Sequence, residues 1–104
     1  MPYIKYTGRN EYDDLVDQVI NILQAKGIED EKSNEWKGFL NYFISRLAHV
    51  LIVKRGLRYH TCNDVIGVLE CVKQELYRTV IAPYEDEKRS ENGPVSKLDY
   101  VGDE

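Results

Sequence analysis

Asn41, Ser45 and His49 recur at i, i+4 and i+8 with Arg46 beside them, so a helix through them carries an amide, a hydroxyl, an imidazole and a guanidinium on one narrow stripe. Such a stripe either lines a ligand pocket or forms the hydrogen-bonded or wet edge of its helix. Base catalysis by His49 needs a nucleophile and an orienting partner that no spacing in the chain locates. A second group, Lys54, Arg55, Arg58 and His60 around Tyr59, gathers the positive charge that grips phosphate, with the tyrosine as a stacking platform. Cations also collect at helix C-termini for dipole reasons alone. In the third group, Glu70 to Arg78, Glu75 and Arg78 are three apart on a helix, the spacing of a surface ion pair.

Metal chemistry has a thinner basis. His49, His60, Cys62 and Cys71 reproduce no zinc spacing. Glu11, Asp14 and Asp17 have the three-residue spacing with which all-α nucleotide pyrophosphohydrolases hold magnesium, but Glu70 and Glu75 are five apart and point to different sides of their helix. No nucleophile elbow, phosphate-binding glycine loop or nucleophile–base pair occurs. No metal and no cofactor is expected, and the reading leans away from an enzyme.

The elements that position these groups are helices. Asn10 as N-cap, the acids Glu11, Asp13 and Asp14, then Tyr12, Leu15, Val16, Val19, Ile20 and Leu23 at helical spacing predict a first helix closed by Lys26 and Gly27. Residues 27–35 are charged and aperiodic, a surface loop expected to be mobile. A second helix starts near Ser33 or Asn34 and stops at Lys54, Arg55 and Gly56. Within it, Phe39 to Val53 holds eleven apolar side chains in fifteen, so most of its circumference needs covering. Leu57 to His60 reads as a connector. Thr61 with Asp64 resembles a capping box that opens a third helix carrying Val65, Val68, Leu69, Val72, Leu76 and Val80. Pro83 is expected to end or kink that helix and to begin a short fourth, Pro83 to Glu91, stopped by Asn92 and Gly93. Gly67, mid-helix, marks either a close helix contact or chance.

The predicted fold is therefore all-α, a small bundle of three main helices plus a short C-terminal helix, with residues 1–93 as one domain and 94–104 as a flexible tail. A 104-residue chain with 42% apolar and 31% charged residues has the composition of a globular domain. The grease on the second helix points to completion by self-association, a dimer above all. Net charge of −4 argues against a surface given over to nucleic acid, while leaving room for a local basic patch. The opening residues hold no signal-peptide core and no run reaches membrane-spanning length, so a cytoplasmic protein with no membrane partner is expected. Cys62 and Cys71, nine residues apart on one helix, point opposite ways and read as free thiols.

Three blocks carry a resemblance: the opening MPYIK, the run LNYFISRLAH, and VIGVLECVKQELYRTVIAPYEDEKRSENG. Together they resemble a family of small bacterial and phage proteins, to which the resemblance attaches no activity. It directs attention to Asn41, Tyr42, Arg46 and His49, and to Glu70, Lys73, Glu75, Arg78, Tyr84, Glu85 and Asp86. Similar sequences carry an acid after E-N-G where this chain has Pro94. One consequence drawn from it is that Arg46 or Arg78 pairs with Glu70 or Glu75 across a helix interface, with Tyr84 and Asp86 fixing the last turn.

The leading functional expectation is a non-enzymatic, oligomeric binding or interaction protein working through a protein partner or a bound ligand. The alternatives are a nucleotide-binding or nucleotide-hydrolysing all-α protein, either a magnesium-dependent pyrophosphohydrolase or a sponge for a nucleotide signal, and a nucleic-acid accessory factor. The candidate ligand-binding residues are Asn41, Ser45, Arg46, His49, Lys54, Arg55, Arg58, Glu70 and Arg78.

Overall fold

The computed structural model describes residues 4–99, and among them every regular element is helical. Three main helices appear: α1 (Asn10–Ala25), α2 (Glu35–Arg55) and α3 (Tyr59–Leu76), the last prolonged through a π turn (Tyr77–Ile81) into α4 (Ala82–Asn92). A 3-10 turn at Tyr6–Gly8 precedes α1, and residues 97–99 form another. Contacts group the chain into two units, Met1–Ile66 and Gly67–Glu104.

In the first unit α1 packs on α2. Their half-buried apolar side chains are Val19 and Leu23 on one helix and Trp36, Phe39, Leu40, Phe43, Ala48 and Ile52 on the other. The Phe39 and Phe43 rings, one turn apart, lie 5.7 Å from centroid to centroid. Residues 27–33, expected as a free loop, form a bonded turn. Gly27 N–H donates to Gln24 O and Ile28 N–H to Leu23 O, which is the Schellman closure of α1, with Gly27 at φ +79° supplying the left-handed residue. Ser33 Oγ then donates to Lys26 O at 3.0 Å and pins the far side.

Several helix boundaries differ from the sequence expectation. Arg9, not Asn10, occupies the cap of α1; its αR backbone continues the preceding 3-10 turn straight into the helix, so no side-chain cap is used. The capping box at Thr61 and Asp64 is absent. Arg58 O accepts the first intrahelical bond from Cys62 N–H, α3 begins at Tyr59, and half of the expected connector Leu57 to His60 is helical. Thr61 is instead the single buried side chain among the described residues, 1% exposed, and its hydroxyl has no hydrogen-bond partner.

In the second unit the third helix does not stop before Pro83. Ala82 N–H reaches back five residues to Tyr77 O, and the widened turn carries the chain past the proline, which lacks a donor and would crowd a regular turn. Pro83 lies in the first turn of α4, which starts one residue earlier than expected and ends at Gly93, φ +88°. A Cβ built on Gly67 meets nothing within 4 Å, so no close contact among the described residues explains that glycine.

Candidate functional site

The α2 stripe forms as the spacing predicts. Asn41, Ser45, Arg46 and His49 are all exposed, and Ser45 Oγ donates to Asn41 Oδ1 at 3.3 Å. Beside them His49, Ile52 and Val53 line a shallow, mostly apolar depression. The arrangement offers polar groups to a surface ligand. Among the described residues no hydrogen bond or ion pair orients the His49 imidazole.

The basic group falls on the corner between α2 and α3. Lys54 and Arg55 lie in the last turn of α2, where cations suit the negative end of the helix dipole. Gly56 turns the chain at φ +102°, and the Arg58 side chain lies over it, 3.4 Å from the position a Cβ would take. Leu57 and Tyr59 are 80% and 89% exposed.

Glu70 and Arg78 are not brought together. Glu70 accepts from Gln74 Nε2 at 2.9 Å and lies 3.6 Å from Lys73 Nζ. The Gln74 bond, then the Lys73 charge, holds its carboxyl below the usual carboxylate value. Arg78 Nη2 pairs with Glu75 at 2.8 Å on the same helix, as the i, i+3 spacing predicts, so this pair is local where the resemblance suggested one across an interface.

Sequence reasoning missed the cleft between α4 and residues 94–99, about 500 Å³ in volume, lined by residues that include Tyr77, Glu85, Asp86, Arg89 and Asp99. Tyr77 O–H donates to Glu85 Oε2 at 3.0 Å; that bond, followed by the Glu85 charge itself, pushes the phenol up from its ordinary value. Asp99 accepts from Val95 N–H at 3.0 Å, and Arg89 Nη1 donates to Asp99 O at 3.4 Å. Residues 94–99 of the expected flexible tail therefore carry hydrogen bonds, while 100–104 lie outside the described residues. Tyr84 and Asp86 were expected to fix the last turn; Tyr84 lies under the Lys88 ammonium at 5.6 Å and Asp86 lines the cleft. No periodicity signals this cleft, because the π turn shifts the register that periodicity relies on.

No three His, Cys, Asp or Glu side chains among the described residues stand where they could share a metal ion, Glu11, Asp14 and Asp17 included. Cys62 and Cys71 are free thiols. No described helix is long and apolar enough to cross a membrane.

These features define a small all-α protein whose polar groups lie on helix surfaces and at a helix corner. The chain belongs to the family described as Domain of unknown function (DUF6899), which matches residues 1–95. No curated protein and no solved structure matches it.

Proposed function

We propose that the chain is an oligomeric interaction protein that completes its core with a second copy of itself and acts by binding rather than by catalysis. One observation carries this reading: no apolar side chain among the described residues is buried. In the second unit Val68, Val72, Leu76 and Val80 form one stripe at spacings of four and remain 64%, 59%, 52% and 58% exposed. Covering an aliphatic side chain of this size is worth roughly 1.5–3 kcal/mol, so a stripe of four drives association strongly. A second copy presents an equal stripe, and pairing the two removes both from water.

The test is native mass spectrometry of the untagged protein beside a Val72→Glu variant. The reading expects a dimer for the parent chain and a monomer with unchanged helicity for the variant. A parent chain that stays monomeric at high micromolar concentration overturns it.

A further inference from the structure

Residues 36–63, which span nearly all of α2, the corner and the start of α3, contain five of the fourteen Lys and Arg residues and none of the eighteen Asp and Glu residues. That segment carries +5 and the remainder of the chain −9. The positive charge is densest at the corner, where Lys54, Arg55 and Arg58 fall within five residues.

Dipole stabilisation explains Lys54 and Arg55 but not the rest. With α3 starting at Tyr59, Arg58 takes the N-cap position, at the positive end of the α3 dipole. That end ordinarily collects acids and an oxygen-bearing cap. Here the first turn has no acid, and the cap residue is an arginine that accepts nothing from the free amides. The Arg58 cation and the α3 dipole thus repel at this corner, and an anion there relieves both. The exposed Tyr59 adds a flat aromatic surface beside the charge.

We propose that the α2–α3 corner binds the phosphate backbone of single-stranded nucleic acid, with Lys54, Arg55 and Arg58 neutralising phosphates and Tyr59 stacking on a base. An unpaired base is required because a duplex hides the faces on which a tyrosine stacks. Double-stranded and lipid phosphate share the charge but give Tyr59 no base to stack on. The inference is independent of the self-association reading, which uses the α3 stripe.

The test is fluorescence anisotropy of a labelled mixed-sequence 20-nucleotide DNA strand against the full chain, as a function of salt. Three neutralised phosphates give a slope of log K against log salt of about −2, which is a loss of roughly 20-fold between 50 and 200 mM. Lys54→Ala combined with Arg58→Ala is expected to cut the slope to about −0.7. Tyr59→Ala is expected to weaken binding about tenfold with the slope unchanged, and Tyr59→Phe to retain it. Lys32→Ala with Lys97→Ala, outside the segment, leaves binding as it was. The proposal is overturned by absence of binding at 50 mM salt, by a slope that these corner variants do not change, or by equal binding of duplex and single strand. It is equally overturned if the chain binds phosphatidylserine vesicles and not the oligonucleotide, or if the corner variants change only the oligomer mass, the mark of an acidic segment of a second copy on this patch.

Discussion

Tyr77 donates its phenolic O–H to Glu85 Oε2 at 3.0 Å although the two residues are eight apart. On a regular α-helix eight residues leave side chains about 80° apart around the axis, whereas seven nearly complete two turns. The π turn between them absorbs one residue, so Tyr77 and Glu85 share a face as residues seven apart do.

That bond predicts a titration. Hydrogen bonding to Glu85, then the Glu85 charge, favours the neutral phenol and raises the Tyr77 pKa above the ordinary tyrosine value of about 10. The folded-state value is the higher one, so the stabilisation is complete below pH 10 and disappears as pH rises through the folded value. Ultraviolet titration of the folded protein is expected to show a late phenol component. Tyr77→Phe should remove the late component, and Glu85→Gln should move it down toward the ordinary tyrosine value. A late component that survives both changes contradicts the assignment.

Two glycines predict opposite signs. Gly27 has φ +79°, and a Cβ there falls 2.7 Å from Ser33 Oγ, the atom that closes the turn onto Lys26. Gly27→Ala therefore meets backbone strain and a displaced hydrogen bond, each about 1 kcal/mol, and destabilises by roughly 2 kcal/mol. Gly67 is helical with open space around it, so Gly67→Ala gains roughly 0.5–1 kcal/mol of helix propensity. Urea unfolding at one fixed protein concentration measures both. A stabilised Gly27→Ala would show that the turn is not held as described.

Helix interiors were legible from spacing, and so were the stops at Gly27, Gly56 and Gly93, because each combines a broken period with a residue free to adopt positive φ. Starts were not. The cap motifs at Asn10 and at Thr61 with Asp64 are local patterns, and both lost to continuation of the preceding backbone: a 3-10 turn entering α1, and Arg58 O taking the first bond of α3. The α2 stripe and the Glu75–Arg78 pair were readable because they lie within one helix. The cleft beside α4 was not, since it depends on a register change and on residues 94–99 folding back, neither of which leaves a periodic trace.

Thr61 predicts a gain from losing a hydroxyl. It is 1% exposed and its Oγ1 has no partner, so it bears a desolvation cost of about 1–3 kcal/mol without a compensating bond. Thr61→Val keeps the shape and removes the cost, and is expected to stabilise by about 1 kcal/mol. Thr61→Ser keeps the hydroxyl and loses a methyl, and should destabilise by about 0.8 kcal/mol. Thermal melts of the two variants, run side by side, separate the contributions. If valine destabilises as serine does, the hydroxyl has a partner after all.

Pro83 is the residue that makes the π turn worthwhile. In a regular helix its missing N–H leaves Thr79 O without a donor and its ring presses on that same carbonyl. The wider turn relieves the pressure, with Ala82 N–H bonded to Tyr77 O and Thr79 Oγ1 donating to Glu75 O at 2.8 Å. Pro83→Ala restores the donor and removes the ring, so the turn is expected to relax to α geometry with a gain of up to about 3 kcal/mol in helix propensity. The register of α4 then rotates by one residue, about 100°, and Glu85 leaves the face of Tyr77. The variant should therefore show more helical ellipticity and lose the late-titrating phenol together. Greater helicity with the late phenol intact would mean that Pro83 does not cause the π turn, and that Tyr77 and Glu85 hold it themselves.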